Sequence, residues 1–247
     1  MIKEQLLYGI HSVQEALATG KLLDKIFLKK GMVGDSIQQI RHEARLQQIP
    51  VQEVPLEKLN RLTRKSHQGC VAIVAPIEYT HLENLIPTLY EEGREPFIIV
   101  LDGLTDTRNF GAIARSALCA GADAIVIPSY GSVSVTADAI NASVGSLLHI
   151  PVCRVGSIGK ALTFLRESGI NIVIADEKSP KLYFEADLDG PLALVMGNEY
   201  KGVSPEAKRA ASTSVAIPLQ GEIGSLNVSV AAGILLFDVT RRRLQNL

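Results

Sequence analysis

Phe97-Ile98-Ile99-Val100-Leu101-Asp102-Gly103 opens the stretch that decides the fold. It continues through Leu104-Thr105-Asp106-Thr107-Arg108-Asn109-Phe110-Gly111-Ala112-Ile113-Ala114-Arg115. An apolar run without alternation reads as a strand buried on both faces, the glycine as a turn, and the remainder as a helix. Two later stretches repeat an apolar run followed by a short polar segment. They are Leu192-Ala193-Leu194-Val195-Met196-Gly197-Asn198-Glu199, and Val215-Ala216-Ile217-Pro218-Leu219 leading to Ser225-Leu226-Asn227. Open parallel sheets hold their ligands at the carboxyl ends of strands, so the three loops are expected to build one site.

Outward from these runs, strands are expected at 97–101, 124–127, 150–152, 170–175, 192–196 and 215–219. Helices fall near 109–120, 136–147, 157–168 and 229–244, with one starting near Ser204-Pro205. This alternation predicts an α/β fold with a parallel sheet covered on both faces. Residues 1–77 read as a separate small α/β domain. Its first helix starts at Ser12 as N-cap, with Glu15 completing a capping box. Prolines and charges between Pro76 and Pro96 mark 78–95 as a linker, with 96–247 as the larger domain; a helical pattern around Leu82 to Tyr90 belongs to the linker or to that second domain.

With 47% hydrophobic and 21% charged residues, the 247-residue chain is expected to bury a full core. No apolar run approaches the roughly 20 residues of a membrane span, and Met1-Ile2-Lys3-Glu4-Gln5 lacks the features of a secretory signal. Cys70, Cys119 and Cys153 lie far apart without a CxxC, which argues against disulfides and structural zinc and for a reducing cytoplasm. His11, His42, His67, His81 and His149 show no metal spacing, so no metal is expected. The net charge of −1 hides an asymmetry: residues 1–77 hold 11 Lys+Arg against 7 Asp+Glu, the remainder 14 against 19. That is compatible with a polyanion held by the first region, or with chance asymmetry of two solvated surfaces. The absence of Trp and only 5% aromatic residues argue against a stacking platform for single strands.

No GxGxxG follows a strand, and there is neither a GxxxxGK[ST] phosphate loop nor a GxSxG elbow. Asn109 and Arg115 are about 120° apart round a helix. They share a ligand only if Asn109 sits at or before the helix start, with Asp106 or Thr107 as N-cap; otherwise the segment is a capped helix with a surface arginine. Glu199, directly after a buried strand, is either a partly desolvated carboxylate meeting a cation or hydroxyl, or a solvated loop residue. Ser225, Asn227 and Ser229 supply more polar groups than one helix cap needs.

Asn109-x-Gly111-x-x-x-Arg115, Val195-Met196-Gly197-Asn198-Glu199-Tyr200-Lys201-Gly202, and Ile217-Pro218 followed by Ser225-Leu226-Asn227-Val228-Ser229 resemble three ordered motifs of one family. It is that of the SpoU (TrmH-type) RNA 2′-O-methyltransferases, matched over residues 97–243. Residues 1–77, through Tyr8-Gly9-Ile10-His11-Ser12-Val13 and His67-Gln68-Gly69, resemble the family's L7Ae/L30e-like substrate-binding domain. The resemblance implies a SPOUT catalytic domain with a C-terminal trefoil knot, homodimers paired through that domain, and an RNA partner. It implies S-adenosylmethionine as cofactor, held by Gly197, Ile217, Leu219 and Leu226. The pairing of domains implies a guanosine in the peptidyl-transferase P loop of 23S rRNA as target. The other readings are a tRNA 2′-O-methyltransferase and a non-catalytic RNA-binding ribosome-assembly protein.

Carried onto this chain, the family's roles fall to five residues. Arg115 stabilises the developing alkoxide and the substrate phosphate; a guanidinium holds its proton too tightly to be a good base. Asn109 fixes the arginine or the ribose, Glu199 holds the polar network, and Ser225 with Asn227 bounds the 2′-hydroxyl. The basic tract Arg61-Leu62-Thr63-Arg64-Lys65-Ser66-His67 grips RNA backbone on this reading, or is a solvated turn.

Overall fold

In a computed structural model of the chain, residues 5–222 and 224–245 are described; the start of the chain, on which the leader argument rests, lies outside them up to Glu4. The chain divides into two compact units, one of residues up to 78 with 134–137, the other of 79–133 and 138 onward.

The first unit runs β1 (Leu6–Tyr8), α1 (Ile10–Ala18), β2 (Leu23–Lys29), α2 (Asp35–Leu46), β3 (Val51–Val54), α3 (Leu56–Leu62) and β4 (Cys70–Val74). Its sheet has the order β1-β4-β2-β3, with β2 and β3 parallel and β4 antiparallel to its neighbours. Alternation along the strands divides the core. Ile26, Leu28, Cys70 and Ala72 meet the buried stripes of α1 and α2, whereas Phe27 and Val71 meet Leu59 of α3. The expected capping box at Ser12 is not formed. Helix α1 begins three residues earlier, behind Gly9 at φ 93, whose amide donates to the Cys70 carbonyl. That left-handed residue turns the chain from strand to helix with no spacer, so Ser12 lies inside the helix.

The second unit continues with α4 (Leu82–Glu91), β5 (Phe97–Asp102), α5 (Thr107–Cys119), β6 (Ala124–Pro128), α6 (Ala137–Ala142), β7 (Val152–Val155) and α7 (Ile158–Glu167). Then come β8 (Asn171–Ala175), β9 (Leu192–Gly197), α8 (Pro205–Ala210), β10 (Thr213–Val215) and α9 (Val228–Gln245). The six strands pair in parallel in the order β10-β8-β9-β5-β6-β7. Every residue of β5 is buried, as a strand covered on both faces requires. Ile98 and Val100 pack with α4, α7 and α8, while α9 lies against α5 and β9. The helix expected around Leu82 to Tyr90 is α4, and its Leu82, Ile86 and Leu89 are buried in this core.

Two further expectations change. The helix expected over 136–147 stops at Ala142 and resumes as a 3₁₀ turn at Ser146–Leu148, with Val144 at φ 52 between them. Helix α5 crosses there so closely that a Cβ on Gly111 would lie 2.5 Å from the Ala142 Cβ and 2.8 Å from the Ser143 nitrogen. The last strand ends at Val215, not Leu219. Past Ala216 no ladder partner remains, and Pro218 lacks the N–H to extend one.

Buried polar groups stitch the lower edge of the sheet. The Asp123 carboxylate, 3% exposed, accepts from the Phe97 N–H at 2.7 Å and pairs with Arg94. Asp123→Ala strands that amide in the core, so we expect a loss of about 2–3 kcal/mol, read as a lower urea midpoint at unchanged slope. Burial pushes the Cys70 and Cys153 thiols up to about 12, so neither is a nucleophile near neutral pH.

Candidate functional site

All strands of the second sheet point one way, so the loops after β5, β8, β9 and β10 leave the same edge. Asp102 and Gly197 are paired residues at the ends of β5 and β9, which brings two of the three polar loops side by side. The buried Asp102 carboxylate accepts from the Ser204 N–H at 2.6 Å, and the Asn198 amide donates to the Gly103 carbonyl at 2.8 Å. The turn after β9 is closed again on itself. Asn198 Oδ1 accepts from the amides of Tyr200 and Lys201, and the Asn198 and Gly202 backbones bond reciprocally.

A cavity of about 430 Å³ opens at this edge. Asn109, Gly197, Glu199, Ile217, Leu219, Ser225, Leu226 and Asn227 all line it, as do Met196, Val215 and Leu235. The cavity falls within the ~300–1,000 Å³ usual for small-molecule sites. Its floor at Gly197 exists because no Cβ is there: one would stand 2.4 Å from the Gly202 carbonyl carbon and 2.5 Å from the Val203 nitrogen.

Across the mouth runs a directed chain of hydrogen bonds. The Ser229 hydroxyl and amide donate to Asn227 Oδ1 at 2.6 and 2.9 Å, Asn227 Nδ2 donates to Asn109 Oδ1 at 3.1 Å, and Asn109 Nδ2 donates to Glu199 Oε1 at 3.0 Å. Asn227 also precedes α9 in the manner of an N-cap, which explains its orientation but not its link to Asn109. Each amide in the chain keeps one N–H for a ligand, and Glu199 terminates the series as an acceptor. Ser225 lines the cavity without a hydrogen bond to another described residue.

Asp106 caps α5, its carboxylate accepting from the amides of Arg108 and Asn109. Asn109 is therefore the third residue of the helix, not a residue before it. Arg115 follows about 9 Å further along the axis and 120° round. It is exposed and does not line the cavity. It shares a face of α5 with Gly111, four residues earlier, and that face packs on Ala142 and Ser143.

Three contributors were missed by sequence reasoning. Asp176 and Glu177, just past β8, line the cavity. A hydrogen bond from the Lys208 ammonium at 2.7 Å holds the Asp176 carboxyl below the usual carboxylate range. The signal was there: Ile172-Val173-Ile174-Ala175 is a fourth apolar run ending in polar residues. Asn198 is the third, and it pins the turn after β9. Among the described residues no group of three or more His, Cys, Asp or Glu is placed to hold a metal ion, and no helix is long and apolar enough to cross a membrane.

Comparison with known proteins adds to this geometry. Residues 96–237 match the model of the SpoU rRNA methylase family, and residues 6–80 match the family described as RNA 2′-O ribose methyltransferase substrate binding. A TrmH family tRNA/rRNA methyltransferase of Bacillus subtilis, YacO, is 37% identical over 95% of this chain and 94% of its own length. One of Staphylococcus haemolyticus is 34% identical over 99% and 98%. The crystal structure of an AdoMet-bound rRNA methyltransferase from Sinorhizobium meliloti superposes with a TM-score of 0.62 at 27% identity, covering 98% of this chain and 88% of that one.

Proposed function

Because this chain belongs to the SpoU rRNA methylase family, we propose that its cavity takes S-adenosylmethionine and that it methylates a ribose 2′-hydroxyl of RNA. The observation that carries the reading is the chain Ser229–Asn227–Asn109–Glu199 at the mouth of a cavity with an aliphatic wall and a polar one. The lining suits the donor. Aliphatic Ile217, Leu219, Leu226 and Leu235 can flank an adenine, strand-end backbone can bond its edge, and there is no cradle for phosphate, which this cofactor lacks. Bound there, the cofactor would supply an electrophilic methyl group.

The chain's own residues do the rest. Asn109 and Asn227 each offer a free N–H to the substrate ribose, and their orientation is fixed by Glu199 at one end and Ser229 at the other. Ser225 bounds the hydroxyl. Arg115 stabilises the negative charge that grows on the 2′-oxygen as its proton leaves. Since Arg115 does not line its own cavity, we assign it to the cavity of a second copy in a homodimer. The face of α9 turned from the core supports such a pairing. There Val230, Phe237 and Leu244 are exposed, with the half-buried Ile234 among them, at helical spacing.

On this reading residues 1–77 are an L7Ae-like substrate-binding domain whose basic tract Arg61–His67 meets RNA backbone, and 96–247 is a SPOUT catalytic domain with its trefoil knot at the C-terminal end. The target is a guanosine in the P loop of 23S rRNA, modified in the cytoplasm. Incubating the protein with labelled S-adenosylmethionine and either ribosomal or transfer RNA, then mapping 2′-O-methylation, tests it. Label in a P-loop guanosine is the expected result. Label in transfer RNA alone moves the enzyme to the tRNA branch, and no label in any RNA refutes catalysis.

Asn109→Ala breaks the chain at its middle and frees both Glu199 and Asn227. We expect kcat to fall about 10²-fold with cofactor affinity within a few-fold of wild type. A fall in affinity alone would move Asn109 from the substrate to the donor side.

A further inference from the structure

The turn after β9 presents Tyr200, which lines the rim of the cavity yet leaves its side chain almost wholly in solvent. Tyr200 is 94% exposed, the highest value of any large apolar side chain among the described residues. Exposure alone would mean little, since single apolar side chains are common on surfaces. Its setting is what separates it. The Tyr200 amide donates to Asn198 Oδ1, the same oxygen takes the Lys201 amide, and Asn198 is tied to Gly202 and to Gly103. Gly197 packs against the turn's far end with no room for a Cβ. The Cα of Tyr200 is thus pinned from both sides, and the preceding residue, Glu199, is held by Asn109. A rigid turn normally exposes Gly, Asn, Asp or Ser; here it carries a residue that lines the rim of the cavity, with the exposed Lys201 next to it.

We propose that Tyr200 is a base-stacking residue: its ring packs on an unpaired nucleobase of the RNA, at or beside the nucleotide whose ribose enters the cavity. The inference rests on the RNA-methylation reading. Proteins read single-stranded loops by splaying bases onto aromatic faces, and a pre-positioned ring spends little conformational entropy in doing so. Lys201 supplies a cation for an adjacent phosphate. The chain's low aromatic content rules against a broad platform, and a single ring at the mouth of the cavity needs none.

The test uses the full-length protein and the shortest RNA fragment that wild type methylates. Stacking on one base predicts that Tyr200→Ala raises KM for that RNA about 10-fold, within roughly 5- to 150-fold. The affinity for S-adenosylmethionine, measured by calorimetry without RNA, changes far less, by no more than about twofold, because nearly all of the side chain lies in solvent rather than in the cavity. Tyr200→Phe restores the wild-type KM because it keeps the face, and 2-aminopurine at the target position is quenched by wild type and Tyr200→Phe but not by Tyr200→Ala. An unchanged KM in Tyr200→Ala overturns the proposal while leaving methylation standing. So does an equal loss of cofactor affinity, which would place the ring on the donor, or a Tyr200→Phe as impaired as Tyr200→Ala. If wild type methylates no RNA at all, the reading beneath it fails and the proposal falls with it.

Discussion

Gly197→Ala is expected to abolish S-adenosylmethionine binding and to lower the melting temperature by about 6–12 °C. Gly197 has no positive φ, so backbone freedom is not why glycine stands there; the reason is the approach of another part of the backbone. A methyl group would lie 2.4 Å from the Gly202 carbonyl carbon and 2.7 Å from its oxygen. Main-chain atoms cannot swing aside as a side chain can. The turn from Asn198 to Gly202 is tied to β5 through Asn198 and Asp102, so relief would break the Asn198–Gly103 or Ser204–Asp102 bond. Overpacking of this kind costs about 3 kcal/mol, and each kcal/mol lowers the midpoint about 2–4 °C in a chain of this size. Gly202→Ala is the informative control. Its φ is 66 but nothing lies within 4 Å of an added Cβ, so the cost is left-handed strain of about 1–2 kcal/mol with the cavity intact. Calorimetry and thermal unfolding of both variants decide it. A Gly197→Ala protein that binds the cofactor normally would show that the turn is not the cavity's wall.

Arg115→Ala is expected to lower kcat about 10²–10³-fold while leaving cofactor affinity within about twofold. The second half follows from geometry: the side chain is exposed on the face of α5 away from the cavity that Asn109 lines. The first half follows from the chemistry proposed above, in which a fixed cation meets charge that grows only in the transition state. If a second copy supplies that cation, complementation follows. Arg115→Ala mixed with Asn227→Ala, each nearly inactive alone, regains about one quarter of wild-type turnover, because half the dimers are mixed and each keeps one intact site. No recovery after subunit exchange would place Arg115 in its own subunit's reaction. Full activity of Arg115→Ala would remove it from the chemistry.

The elements that were legible are those whose signal is local. Strands β5 and β9 are runs of apolar residues too short for a buried helix and too uniform for a half-buried strand, and both lie within a residue or so of expectation. Helix α5 is announced by Asp106, which caps it. The misplaced boundaries share a different cause. Ser12 had the composition of a cap, but Gly9 took the position because its amide reaches Cys70, sixty-one residues on. The break after Ala142 is imposed by the crossing of α5, and the early end of β10 by the lack of a neighbouring strand beyond Ala216.

The site divides along the same line. Residue order by itself determined that polar loops follow buried strands, which residues those loops contain, and that none of them is a phosphate cradle. Those are properties of backbone period and side-chain chemistry, readable within some ten residues. Only the tertiary structure decided that Asn109 bonds Glu199 ninety residues away and Asn227 one hundred and eighteen away, that Asp176 and Glu177 join the same wall, and that Arg115 faces elsewhere. Which strand ends meet depends on the order β10-β8-β9-β5. That order is chosen by packing the whole sheet between two layers of helices, a cooperative choice that no single stretch of sequence encodes.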